Sequence, residues 1–215
     1  MTCPHCQAAD ELFNDKVARR DLRRYRKKGP QKSTRLLLDA VAPYDVQGLT
    51  LLDIGGGVGI VQHELVARGV ARTTDVDASL AYIEAARSEA KNRGYTARAS
   101  YLHGDFVELA NRVEDADLVT LDRVACCYPD AALLLERAAA HARKRIGLVW
   151  PKDRWWTRAT TATMNLVFRI TRNPFRLRIH PDRLVEAVLA KNGFTRTNYA
   201  TSGFWQVAAY ERRSA

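Results

Sequence analysis

A chain of 215 residues with 47% hydrophobic content can close a single sizeable core, and its apolar runs fall well short of the ~20 residues that cross a bilayer. The start Met-Thr-Cys-Pro-His-Cys leads into charged sequence with none of the apolar stretch of a secretory signal, so a cytoplasmic protein is expected. The net charge of +10 is concentrated: residues 16–35 hold ten Lys or Arg against one Asp, and residues 152–183 hold eight against two. Such stretches attract phosphates, anionic lipid heads or acidic ligands, or simply solvate two helix faces.

The four cysteines form two close pairs, Cys3 with Cys6 and Cys126 with Cys127. Cys3-Pro4-His5-Cys6 has the spacing of half a zinc knuckle, and the second pair would have to complete it. Adjacent cysteines are poor partners for one tetrahedral ion and there is no second CxxC, so free thiols and no metal are expected. Glu11 to Lys28 then reads as one amphipathic helix, with Phe13, Val17, Ala18, Leu22 and Tyr25 at three- and four-residue spacings. Gly29-Pro30 ends it, and a short helix over Thr34 to Val41 precedes Pro43. Residues 1–43 are thus a helical extension of a domain spanning 44–215.

From Leu49 short apolar runs alternate with helical stretches. Leu49 to Ile54, Arg72 to Val76, Ala99 to His103, Leu118 to Leu121 and Ile146 to Trp150 read as buried strands. Gln62 to Arg68, Leu80 to Arg93 and Ala131 to Lys144 read as helices, the last two capped by Ser79 and Asp130. This alternation predicts a doubly wound α/β fold, a mostly parallel sheet covered by helices on both faces. Asp182 to Lys191 continues as a helix, and Phe194 to Ala200 with Phe204 to Tyr210 form a hairpin around Thr201-Ser202-Gly203. The intervening residues 152–180 exceed the usual connection length and interleave apolar side chains with arginines, which predicts a lid over a ligand; packing of the same apolar residues on the sheet is the competing reading.

The chemistry gathers at the strand ends. Asp53-Ile54-Gly55-Gly56-Gly57-Val58-Gly59 follows a strand and opens a helix, where an open parallel sheet binds its cofactor. A dinucleotide fingerprint wants a small residue three past Gly57, and Ile60 stands there; the tighter D-x-G-x-G-x-G suits S-adenosylmethionine, which has no pyrophosphate. Asp77, with Ala78 beside it, ends the second strand and can accept from both ribose hydroxyls, Asp75 being its rival. Gly104-Asp105-Phe106 offers a carboxylate to the adenine amino group and an apolar ring to its face. The fourth strand brings Asp122 to the same edge.

In this order, Asp53 to Gly59, Asp77, Asp105-Phe106 and Asp122, the sequence resembles the class I S-adenosylmethionine-dependent methyltransferases over nearly all of residues 44 to 211. The resemblance implies a Rossmann-like sheet of seven strands with a reversed last strand. More narrowly, Leu12-Phe13-Asn14, Arg24 to Lys27, Trp150-Pro151-Lys152 and Ile179-His180-Pro181 resemble the magnesium-protoporphyrin O-methyltransferase group, whose members methylate a propionate carboxylate of a tetrapyrrole. Cys126-Cys127-Tyr128-Pro129 and the N-terminal CxxC depart from that group's pattern.

The expected activity is methyl transfer to a small, hydrophobic and anionic acceptor, tetrapyrrole-like or another hydrophobic acid. An ionised carboxylate acceptor needs no base; a hydroxyl does, and His180 or Asp122 is then the candidate, with Tyr128 lining the acceptor pocket. Peripheral contact with a membrane is a further expectation for the arginine-rich lid. Nucleic acid ranks lower as a partner: Tyr25, Trp155 and Trp156 could stack on bases, but there is no recognisable RNA-binding module. A cofactor-binding interaction protein without catalysis is the third reading.

Overall fold

In the computed structural model, which describes residues 3–213, the apolar runs become seven strands. These are β1 (Thr50–Ile54), β2 (Arg72–Asp77), β3 (Ala99–His103), β4 (Ala116–Asp122), β5 (Ala142–Pro151), β6 (Phe194–Ser202) and β7 (Trp205–Arg212). They form one sheet in the order β3-β2-β1-β4-β5-β7-β6. The first five strands run parallel, and β7 alone is reversed, antiparallel to both β5 and β6. This is the Rossmann-like sheet with a reversed last strand that the family resemblance implies.

Helices cover both faces: α1 (Pro4–Leu12), α2 (Asp15–Lys28), α3 (Lys32–Val41), α4 (Ile60–Ala67), α5 (Leu80–Asn92), α6 (Phe106–Leu109), α7 (Ala131–His141), α8 (Trp155–Ile170) and α9 (Asp182–Lys191). Side chains alternate between the faces with the strand period of two. Leu51, Leu118, Val149 and Val207 pack with Leu37, Leu38 and Val41 of α3 and with Val61 and Leu65 of α4. Leu52, Val119, Leu121, Ile146 and Leu148 pack on the opposite face with Leu134 and Leu135 of α7 and Val185 and Leu189 of α9. Gly147 lets α3 lie close to β5, because a Cβ there would collide with Val41 and Leu37. The helix over 32–41 therefore shares the core of the sheet, although the sequence pattern assigns it to an extension ending at residue 43.

Two local expectations are corrected. The stretch over Glu11–Lys28 is two helices, because Asn14 turns its side chain back to accept from the N–H groups of Lys16 and Val17 and caps α2. The helix expected to reach Lys144 stops at His141, since Ala142 already pairs with Ala116 in the β4–β5 ladder. The single turn α6 follows from Asp105, whose carboxylate accepts from the N–H of Val107. Ser79 and Asp130 cap α5 and α7 as expected, accepting from Tyr82 and Leu133.

Candidate functional site

The carboxyl ends of β1, β2, β3 and β4 open into a cavity of about 650 Å³. The glycine loop enters it because Gly55, Gly57 and Gly59 have φ of 65°, 60° and 79°, a region that glycine occupies without a steric penalty. A Cβ on Gly57 would meet no protein atom nearer than the Tyr82 ring at 3.8 Å, so it would project into the cavity and fill a ligand's cradle. Below it, the N–H of Gly57 donates to Asp77 Oδ2 at 2.9 Å and that of Ser79 to Oδ1 at 2.7 Å. These bonds fix the Asp77 carboxylate at the rim of the loop.

Asp53, Gly55, Gly57, Asp77, Ala78, Asp105, Phe106 and Asp122 all line this one cavity. Gly59 does not: it is the N-cap of α4, and a side chain there would strike His63 and Ala86. Its role is close packing of the loop on α4 and α5. Asp75, the rival to Asp77, lies fully buried under the loop, where Oδ1 accepts from the Gly56 N–H at 3.2 Å and Oδ2 has no partner among the described residues. Asp53 beside it accepts from the Thr120 hydroxyl at 2.7 Å, while its Oδ2 and both polar atoms of the Gln62 amide are unpartnered among the described residues. Burial pushes Asp53 up to about 7 and Asp75 well above the usual carboxylate range, with neighbouring carboxylates adding to both. A carboxylate raised in this way holds its proton near neutrality.

Asp122 is committed elsewhere in the site. Its oxygens accept from Arg123 at 2.9 and 3.2 Å and from the Thr34 hydroxyl at 2.6 Å, so it positions an arginine. The same turn holds Arg123 at φ 65° and sets its guanidinium 6.0 Å from the Trp205 ring. Tyr128 lines the cavity with its hydroxyl 3.0 and 3.1 Å from the two Asp105 oxygens, and burial beside that carboxylate pushes its pKa up. His180 is not on the cavity wall; burial lowers its pKa and its Nε2 has no partner among the described residues. The base role considered for His180 has no support in this placement.

The roof comes from segments far apart in sequence. Phe13, at the break between α1 and α2, stacks on Tyr82 at 5.2 Å and meets Phe175 edge-on at 5.6 Å. Phe175 in turn meets Phe168 of α8 at 5.7 Å. Tyr82 is anchored by its hydroxyl, which donates to Asp21 at 2.9 Å. Met164, Phe168, Phe175 and Leu177 line the cavity, and Arg20, Arg24, Arg123 and Arg178 bring positive charge to it. Of α8 only Thr157 and Thr161 are buried, so this helix is not sheet core. Trp155 is 81% exposed, and neither it nor Trp156 lines the cavity.

The roles of Tyr82, Arg123, Arg178 and His5 have no motif to reveal them. The only sequence signals are an aromatic at the start of α5 and arginines following a strand and a lid. His5 and Cys6 also line the cavity, with burial lowering the His5 pKa and raising those of the Cys3 and Cys6 thiols. Tyr25, considered as a base-stacking surface, is buried with its hydroxyl donating to Glu64 at 2.7 Å.

Comparison with known proteins bears on this arrangement. The methyltransferase domain family matches residues 52–145, which run from β1 into β5. No curated protein sequence matches the chain. Among solved structures, magnesium protoporphyrin IX methyltransferase from Synechocystis PCC 6803 with bound S-adenosylmethionine superposes with a TM-score of 0.69 at 19% identity, covering 97% of each chain. An O-methyltransferase family protein from Burkholderia thailandensis gives 0.71 at 17% identity over 94% of this chain and 62% of that one. A geranyl diphosphate methyltransferase gives 0.69 at 16% identity over 92% and 90%. These likenesses show the fold, and the family match lies on the strands and loop that build the cavity floor. Residues 52–145 thus match the methyltransferase domain family, and the chain as a whole shares the fold of methyltransferases that have been solved with S-adenosylmethionine bound.

Proposed function

We propose that this chain is a class I S-adenosylmethionine-dependent methyltransferase that transfers the methyl group of S-adenosylmethionine to an oxygen of a small, hydrophobic and anionic acceptor, with a carboxylate as the methylated group. The observation that carries the reading is the division of the cavity: a floor of glycines and carboxylates, and a roof of Phe13, Tyr82, Met164, Phe168 and Phe175 with Arg20, Arg24, Arg123 and Arg178 around it. A flat apolar ring system suits the aromatic surfaces, and guanidinium groups suit its acid substituents. Asp77 would hold the ribose, Asp105 and Phe106 the adenine, and Gly55 and Gly57 the close approach of the rest of the cofactor.

S-adenosylmethionine supplies an already activated methyl group, so this chain's residues need to orient the acceptor and exclude water. Asp21, Asp77, Asp105 and Asp122 each already accept hydrogen bonds from the chain, which leaves them poorly disposed as bases. A carboxylate acceptor, ionised at neutral pH, needs none. The outer face of α8, with Trp155, Leu166, Val167 and Ile170 exposed beside Arg154, Arg158, Arg169 and Arg172, supports peripheral contact with an anionic membrane surface from which such an acceptor could be drawn.

The test is release of S-adenosylhomocysteine across a panel of porphyrin carboxylates, aromatic acids, phenols and structured RNA, with the methylated product identified by mass spectrometry. Turnover with hydrophobic acids and formation of an ester is the expected result. Turnover confined to phenols, or to RNA, would replace the proposed acceptor, and absence of turnover on the whole panel despite tight cofactor binding would favour a non-catalytic protein.

A further inference from the structure

We infer that Cys3, His5, Cys6 and Asp105 form a binding site for a zinc-like divalent cation that fastens α1 over the cofactor cavity. One potential ligand atom from each of the four residues lies within 4.8 Å of all the others. Cys3 Sγ is 2.8 Å from Cys6 Sγ and 3.2 Å from His5 Nε2, and the same Nε2 is 3.5 Å from Asp105 Oδ2. Two sulfurs, one imidazole nitrogen and one carboxylate oxygen are a four-coordinate donor set for Zn²⁺, with bonds of about 2.3 Å to sulfur and about 2.0–2.2 Å to nitrogen or oxygen. Those bond lengths require sulfurs about 3.8 Å apart, so binding opens the cysteine pair by about 1 Å.

The chain positions the donors by ordinary local means. Cys3 is the N-cap of α1, and its sulfur accepts from the Cys6 N–H at 3.4 Å, which places both thiols on one side of the first turn. Asp105 reaches the same point from the end of β3, 99 residues beyond Cys6 in sequence. Its carboxylate is held from behind: the Val107 N–H donates to Oδ1 at 2.9 Å and the Tyr128 hydroxyl lies at 3.0 Å from Oδ2. The His5 ring packs edge-on against Tyr128 at 4.6 Å. Outer contacts of this kind orient metal ligands. Cys3, Cys6 and Asp105 are buried and His5 is partly so. A cysteine disulfide would leave the convergence of His5 and Asp105 unexplained, whereas a cation uses all four groups.

Binding forms two S–metal, one N–metal and one O–metal bond, and the two thiol protons pass to solvent; no electron is transferred. The consequence is mechanical, since His5, Cys6, Ala9 and Leu12 of α1 line the cavity. A cation tying its first turn to Asp105 holds α1 as a fixed wall beside the proposed adenine pocket.

The experiment loads the reduced full-length chain with Co²⁺ in the absence of S-adenosylmethionine, with zinc content measured in parallel by plasma mass spectrometry. One cation per chain is expected, with a thiolate-to-cobalt charge-transfer band and the visible bands of a tetrahedral site. Cys3→Ser and Cys6→Ser should lose both signals, Cys126→Ser combined with Cys127→Ser should keep them, and Tyr128→Phe should weaken cobalt binding about 10- to 100-fold. Chelation should restore the metal-free spectrum and lower cofactor affinity on subsequent titration. Retention of the cobalt spectrum in Cys3→Ser, or a reduced chain that binds no cation at all, overturns the site. Wild-type loading and chelation decide the matter without any variant, so a poorly folding variant does not obscure the result. Because cofactor is absent, the result is also independent of the acceptor and of the adenine assignment.

Discussion

The floor and the roof of the cavity are built on different principles. The floor is made where four parallel strands end in register, and its residues lie within a few positions of a strand: Asp53 and the glycines after β1, Asp77 at the end of β2, Asp105 after β3. Backbone ladders fix those positions, so a change there acts on cofactor binding directly. The roof is a relay of rings, Tyr82, Phe13, Phe175 and Phe168, drawn from α5, the α1–α2 break and the lid. Its rings meet through side chains, and its backbone is tied only at points such as the Arg178 N–H donating to the Cys126 carbonyl at 2.7 Å and the Ser79 hydroxyl donating to the Phe13 carbonyl at 2.7 Å, so its ring surfaces can be altered with less effect on the floor. In the proposed function the strand-end motifs therefore serve the cofactor, and the roof serves the acceptor.

The sharpest way to break this division is Gly57→Val, which places a side chain in the cradle at a φ of +60°. Cofactor binding should vanish in calorimetry. Because that backbone conformation is itself strained for valine, the melting temperature is recorded alongside, and affinity preserved with the fold intact would remove the floor from the cofactor site. Asp77→Ala should cost about 1.5–3 kcal/mol of cofactor binding, the range for hydrogen bonds to a charged group, whereas Asp75→Asn should leave affinity nearly unchanged. Equal losses in the two variants would place the ribose deeper than the cavity rim.

On the roof, Met164→Ala with Phe168→Ala should raise the KM for a hydrophobic acid while shifting cofactor affinity by no more than about 0.5 kcal/mol, the scatter of substitutions remote from a contact. Trp155→Ala with Trp156→Ala faces outward and should spare turnover of soluble acceptor, while flotation with anionic vesicles is lost. A fall in cofactor affinity in the first pair, or unchanged vesicle binding in the second, would show that the roof is not organised as proposed.

The smallest expected effect concerns protons beneath the loop. Asp53 is raised from 3.8 to about 7 in the folded chain, so the folded state binds a proton more tightly than the unfolded one. Its stabilising share is fully present below about pH 4 and is lost as pH rises through about 7. Asp53→Asn should therefore flatten the decline in denaturation midpoint between about pH 4 and 7; an unchanged slope would mean that Asp53 is ionised in the fold.

Much of the floor is legible in the sequence because its signals are local. A strand period, a glycine cluster and a carboxylate at the following strand end lie within short windows, and sheet geometry carries them to one edge. Ser79 and Asp130 are readable as caps for the same reason. Gly59 is misassigned by its motif because a glycine required for close packing on His63 and a glycine required by a ligand are written alike. The break at Asn14 escapes the periodicity because the apolar spacing runs on through it, and only the turned-back side chain shows that the helix ends.

What the sequence determined by itself was the succession of strands and helices, the terminal hairpin and the glycine loop with its strand-end carboxylates, since periodicity and strand-end chemistry are properties of neighbouring residues; the reversed last strand came from the family resemblance. Only the tertiary structure decided that Asp122 serves Arg123, that His180 stands off the cavity, that Phe13 joins the lid, and that Asp105 meets Cys3, His5 and Cys6. Each of these joins residues tens of positions apart, or chooses among partners that one side chain could equally take. Packing settles such choices, because one buried group can satisfy one set of neighbours only, and linear spacing carries no record of which set it is.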